Sequence, residues 1–255
     1  MDVTVEARCR VLEITLERGK VNAMDAATSR ALGDAFARLQ KDDGLSVGII
    51  TARGRFFSAG WDLKADEDPV ADMGVGGFAG LTEYWGLTKP VIAAVNGTTL
   101  GGGFELVLSA DMVVAAEGVE FALTEAAIGL VPDSGGVIRL PRRLPRAVAM
   151  EMMMTGRRAS AEEMARWGLV NEVVPADGLM EAARALAERV AACAPLSLRA
   201  IKEIDRATEG LCVEDAFRRM RAGDLSAYGR IYASADAKEG VAAVMEKRKP
   251  EWTGR

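Results

Sequence analysis

Apolar and polar positions change their period twice along this chain. Over residues 10–16, Val11, Leu12, Ile14 and Leu16 partly alternate with polar neighbours, which predicts a half-buried strand. Asp25 then precedes Leu32, Ala35, Phe36 and Leu39 at helical spacing, so a helix capped by Asp25 is expected to close near Gly44. Residues 47–51, 91–95 and 112–116 are short, continuous apolar runs, the pattern of strands buried on both faces. Residues 65–80 are rich in Asp and Gly and show no period, which predicts a long polar loop. Beyond about residue 140 the helical period dominates, over residues 147–154, 161–167, 179–192, 196–207 and 213–227. A short apolar run at 169–174 interrupts it. The pattern predicts an α/β fold, with an α/β core over residues 1–195 and a helical C-terminal region over residues 196–255.

Composition narrows the function. A net charge of −5 with no visible basic face argues against a nucleic-acid partner, because affinity for a phosphate backbone needs clustered Lys and Arg. No uncharged apolar run of about 18 residues occurs and the N-terminus lacks a secretory pattern, so no membrane association and a cytoplasmic location are expected. Cys9, Cys193 and Cys212 are scattered, which suggests neither a disulfide framework nor a zinc site. Histidine is absent altogether, so His-based triads and His-ligated metals are excluded. Proton transfer near neutral pH then falls to carboxylates, Lys, Tyr or Cys.

The most informative stretch begins at the strand pattern of 91–95. It turns at Asn96 and Gly97, and Gly101, Gly102 and Gly103 open an apolar helix through Leu108. Glycines at a helix start leave N–H groups unshielded beside the positive end of the helix dipole, a place for an anion or a polarised carbonyl oxygen. Ser58, Ala59 and Gly60 form a second small-residue turn that can add a further N–H. Glu105 lies one turn into the glycine-rich helix and Glu125 follows the strand pattern of 121–123; both have apolar neighbours, which raises a carboxyl pKa and makes a usable acid. A flexible glycine linker and two solvated glutamates are the plain alternative. The spacing does not give the Gly-x-Gly-x-x-Gly of a dinucleotide site.

Three ordered motifs carry a resemblance: Asn96-Gly-Thr-Thr-Leu-Gly-Gly-Gly-Phe-Glu105, Phe57-Ser-Ala-Gly-Trp-Asp-Leu-Lys64 and Glu125-Ala-Ala-Ile-Gly-Leu-Val-Pro-Asp-Ser-Gly-Gly136. They are similar to those of the enoyl-CoA hydratase/isomerase (crotonase) superfamily, over nearly the whole chain. The resemblance implies a ββα spiral core with a helical C-terminal trimerisation region, and an acyl-CoA thioester as substrate with no separate cofactor. It implies that the backbone N–H groups of Trp61 and Gly102 hold the thioester oxygen, while Glu105 and Glu125 flank the α,β carbons as an acid–base pair. For coenzyme A it implies Ala59 and Lys64, with Tyr228 and Lys247 supplied by a neighbouring subunit of a trimer or a pair of trimers. Trp61 and the stretch Gly76-Gly-Phe-Ala-Gly-Leu-Thr-Glu83 resemble a branch handling a carnitine-like acyl group, whose quaternary ammonium suits aromatic faces and carboxylates. Trp61, Glu83 and Trp85 are accordingly expected to line the acyl pocket, joined by Tyr84 and by Asp66, Glu67 and Asp68. Retention of both glutamates favours adding or removing water over moving a double bond. A general short-chain enoyl-CoA hydratase, an isomerase and an inactive acyl-CoA-binding protein are the alternatives. Thr124 departs from the proline common before the second glutamate.

Overall fold

A computed structural model describes residues 2–65 and 71–255. The chain runs β1 (Val3–Arg8), β2 (Val11–Leu16), α1 (Ala26–Lys41), β3 (Val47–Ala52), β4 (Phe56–Ser58), β5 (Val91–Val95) and β6 (Thr98–Leu100). It continues through α2 (Gly102–Ser109), β7 (Met112–Ala116), β8 (Glu120–Ala122), α3 (Gly136–Arg143), α4 (Arg146–Thr155), β9 (Ala159–Ser160), α5 (Ala161–Arg166) and β10 (Glu172–Val174). Five helices follow: α6 (Leu179–Ala191), α7 (Pro195–Thr208), α8 (Val213–Met220), α9 (Ser226–Arg230) and α10 (Ala235–Glu246).

Two sheets share these strands. The larger has the order β1-β2-β3-β5-β7-β10 and is parallel from β2 onward; the smaller has the order β4-β6-β8-β9, with β4, β6 and β8 parallel. The chain therefore deals its strands alternately, β3, β5 and β7 to one sheet and β4, β6 and β8 to the other. That alternation is the ββα spiral. Strands β3 and β5 are buried along their whole length, which explains their unbroken Val, Ile and Ala runs. α6 covers β3, β5 and β7, and α1 packs beside β1, β2 and β3, with Asp25 accepting from the Thr28 amide at 2.7 Å as its N-cap.

Two expectations are corrected and one strand is added. Strand β1 lies outside the expected elements, because Val3 and Val5 alternate with Thr4 and Glu6 on an exposed sheet edge and make no apolar run. The helical pattern at 213–227 is two helices, α8 and α9, since Gly223 takes a positive φ of 87° that no helix continues through. The polar segment 65–80 ends as packed structure: Phe78 and Ala79 are buried in a 3₁₀ turn, and a Cβ on Gly33 of α1 would lie 2.3 Å from the Val75 carbonyl oxygen. The C-terminal helices hold a small apolar cluster of their own, Leu196, Ala200 and Ala227, apart from the main core.

Candidate active site

The small sheet gathers the sequence-predicted residues at one end. Its three parallel strands pair Ser58 with Thr99 and Leu100 with Ala122, so the chain leaves β4, β6 and β8 side by side at their carboxyl ends. Ala59, Gly60 and Trp61 follow β4; Gly101 and Gly102 follow β6; Glu125 opens the turn after β8. The central turn is tied to its neighbour by Gly101 N–H donating to the Ala122 carbonyl at 2.9 Å. Phe104 of α2 and Phe121 of β8 pack with ring centroids 5.2 Å apart, both fully buried, which fixes the helix bearing Glu105 to the strand leading to Glu125. Such an aromatic pair contributes about 0.5–1.5 kcal/mol beyond its burial.

Two peptide N–H groups meet here. The Gly60 carbonyl accepts from Met24 N–H at 2.8 Å and Asp62 N–H donates to the Met24 carbonyl at 2.9 Å, so the intervening Trp61 N–H points to the opposite side. Gly60 adopts φ of 88°, and a Cβ there would lie 2.6 Å from the Gly102 nitrogen. Only glycine permits that approach. The amides of Trp61 and Gly102 have no partner among the described residues, and Gly102 begins α2, whose dipole favours negative charge. The loop carrying Trp61 is clamped by Arg18, which reaches Asp62 and the helix cap Asp25, each at 2.7 Å.

The two glutamates stand in different surroundings. Glu105 is 3% exposed and its Oε1 accepts from the Gly136 N–H at 2.8 Å. Burial, with further contributions from Glu125 and Asp133, pushes its pKa up to about 7, against the opposing pull of the Gly136 amide and Arg139. Glu125 is partly exposed, yet its Oε2 is buried without a hydrogen-bond partner among the described residues. A Cβ on Gly101 would lie 3.0 Å from Glu125 Oε1, so this carboxyl leans over the turn holding the Gly102 amide. Burial raises its pKa too, offset in part by its own amide and that of Thr124, while Asp133 adds to the rise. With Thr124 at φ −100° in place of a proline, Glu125 still points inward.

Other predicted residues lie elsewhere. The Ala59 carbonyl stands 3.8 Å from the Cβ position of Gly101, at the site's edge. Lys64 is exposed, three residues beyond Trp61. Tyr228 packs against the small C-terminal cluster and Lys247 ends α10, both outside these contacts. Glu83 and Trp85 are exposed and gather round Arg139 instead, whose guanidinium carbon lies 6.0 Å from the Trp85 ring centroid. Trp61 takes Phe78 as its aromatic neighbour, with centroids 6.1 Å apart. Asp66, Glu67 and Asp68 lie outside the described residues. A groove of about 670 Å³ between the core and α7 is lined by Tyr84, Trp85, Arg139 and Lys202, but by neither glutamate and neither amide. The amides of Trp61 and Gly102 and the turn bearing Glu125 lie instead at the ends of the small-sheet strands.

Sequence reasoning missed Gly136, Asp133, Arg139 and Arg18. Gly135 and Gly136 open α3 as Gly101 and Gly102 open α2, so the signal for one more presented N–H was the same glycine pair at a helix start. Arg18 carried no local signal. A profile of the family described as enoyl-CoA hydratase/isomerase matches residues 6–255. Carnitinyl-CoA dehydratase from Salmonella typhi is 57% identical over 249 residues, covering 96% of this chain and 95% of that protein. Carnitinyl-CoA dehydratase from Proteus mirabilis is 56% identical over 252 residues, 97% of each chain. Among solved structures, an enoyl-CoA hydratase from Mycobacterium tuberculosis H37Rv superposes with a TM-score of 0.91 at 43% identity, covering 100% of this chain and 99% of that one. With its alternating strands, its glycine turns and a match over nearly its whole length, the chain belongs to the enoyl-CoA hydratase/isomerase family.

Proposed function

We propose that this chain is a hydro-lyase that adds or removes water across the α,β double bond of an enoyl-CoA thioester, and that the carnitinyl-CoA/crotonobetainyl-CoA pair is its substrate couple. One observation carries the reading: the Glu125 carboxyl lies against the turn whose Trp61 and Gly102 amides have no partner among the described residues, and the buried Glu105 carboxyl, on the helix that this turn opens, feels the charge of Glu125. In hydration, the water oxygen bonds to the β-carbon and its proton passes to one glutamate. The negative charge that develops on the thioester oxygen is held by the N–H groups of Trp61 and Gly102, and the other glutamate delivers a proton to the α-carbon. Dehydration reverses each transfer. A pKa of about 7 at Glu105 suits this exchange, since a group poised near the working pH gives and takes a proton with similar ease. Carboxylates handle every proton, and coenzyme A enters only with the substrate.

The names of the relatives support the acyl group, and the Trp61–Phe78 pair supplies an aromatic surface beside the amides for a quaternary ammonium. In this reading the coenzyme lies along Ala59 and Lys64, with Tyr228 and Lys247 reaching it from a neighbouring copy in a homotrimer or a pair of trimers. No helix among the described residues is long and apolar enough to cross a membrane. Crotonobetainyl-CoA and crotonyl-CoA, compared by loss of the conjugated-thioester absorbance, test the substrate. Faster turnover of crotonobetainyl-CoA is expected. Preference for the uncharged chain would make the protein a general short-chain hydratase, and tight binding without turnover would make it an acyl-CoA-binding protein.

A further inference from the structure

Arg139 stands beside the site, and the reaction above makes no use of it. It lies on α3, three residues after Gly136, and is partly buried. One of its nitrogens donates to the Thr82 carbonyl and another to the Ser134 carbonyl, the latter at 3.4 Å. Room for this fork exists only because residue 135 is glycine: a Cβ there, at φ of 116°, would fall 1.8 Å from Arg139 Nη1. The guanidinium thus joins the segment after Phe78 to the turn that presents the Gly136 N–H, and that N–H rests on Glu105 Oε1 at 2.8 Å. The charges facing Arg139 are Glu105, Glu209 and Glu83, with Arg142 opposing; those facing Glu105 are Glu125, Asp133 and Arg139.

We propose that Arg139 is a positioning residue for Glu105: by bridging the Thr82 and Ser134 carbonyls through the space left open at Gly135, it keeps the Gly136 amide on the Glu105 carboxyl and places a positive charge beside it. This rests on the hydratase reading above. A planar fork that spans two carbonyls is a geometry arginine offers and lysine does not. The amide donation and the positive charge both favour ionised Glu105, so removal of Arg139 acts in one direction. The protonated form gains, and the Glu105 pKa rises above about 7.

The test uses the full-length chain with Arg139→Met and Arg139→Lys, measuring enoyl-CoA hydration across pH, with Glu105→Gln as reference. Arg139→Met is expected to lower kcat by about tenfold, as small misplacement of a reacting group does, while KM stays within about twofold. Its pH-profile limb near neutrality moves to higher pH. Arg139→Lys returns the limb toward the wild-type position by restoring charge, while kcat stays low because the fork is missing. Should Arg139→Met fail to fold, a depressed kcat in folded Arg139→Lys sustains the proposal. A folded variant with wild-type kcat and an unmoved limb overturns it. Normal turnover by Glu105→Gln would instead remove the hydratase reading; a dead Glu105→Gln beside normal Arg139 variants sinks only the role of Arg139.

Discussion

The turn that opens α2 and the turn that follows β8 each place a glutamate at the start of a helical segment, but they leave those acids in unequal surroundings. Glu105 is buried, and its carboxyl meets the glycine start of α3 and accepts one peptide N–H there. Glu125 sits on a four-residue 3₁₀ turn with no fully buried residue, and one of its oxygens is enclosed yet has no hydrogen-bond partner among the described residues. The difference teaches that neighbouring acids are set apart by how deeply each is buried and how many donors each meets.

The largest expected effect comes from erasing the comparison. Glu105→Gln and Glu125→Gln should each lower hydration by roughly 10²–10⁴-fold, the range for loss of a general acid or base, while thioester binding persists. Steady-state rates beside direct titration of a thioester separate the two quantities; unchanged turnover in either variant would break the pairing.

Next in size is stability. Glu105 has its folded pKa raised from 4.5 to about 7, so its stabilising contribution is complete below about pH 4.5 and is lost as pH rises through about 7. Glu105→Gln should therefore raise Tm at pH 8, with a gain on the order of 3 kcal/mol from the size of that shift, and should lose the gain near pH 4.5. Thermal unfolding at the two pH values checks this. An equal gain at both would show that ionisation is not its cause.

A smaller change sharpens the second acid. Gly101→Ala puts a Cβ 3.0 Å from Glu125 Oε1 at a φ of 54°, so about 1–2 kcal/mol of stability should be lost together with part of kcat. Denaturant unfolding and turnover on the same preparation measure both. The smallest expected effect is that of Thr124→Pro, which removes an amide that lowers the Glu125 pKa and draws φ from −100° toward about −65°. The limb of the pH profile due to Glu125 should move to higher pH, with the fold unchanged.

Much of this site was legible along the chain. The glycine run before an apolar helix announced presented amides, and Glu105 is one turn away on the same helix, so their proximity follows from local geometry. Glu125 was legible as a candidate, but its approach to Gly101 depends on β6 and β8 pairing in register. The fold class was readable from the buried strand runs, whereas β1 was hidden by its edge position and the break at Gly223 by a helical period that persists across it. Glu83 and Trp85 look close to Trp61 in the sequence, yet they face Arg139, because the buried Phe78 turn redirects the chain between them.

By itself the sequence determined the kind of chemistry open to this protein. With no histidine, proton transfer near neutral pH is left to carboxylates, Lys, Tyr or Cys, and glycines at helix starts present amides, since these properties belong to residue types and local backbone. Which amides and which acids meet was decided by the tertiary structure. Three parallel strands set side by side bring residues 59–61, 101–102 and 125 to one sheet end, and removal of water there raises both carboxyls. Sheet register and desolvation are properties of packed neighbours distant in the chain, and no local pattern encodes them.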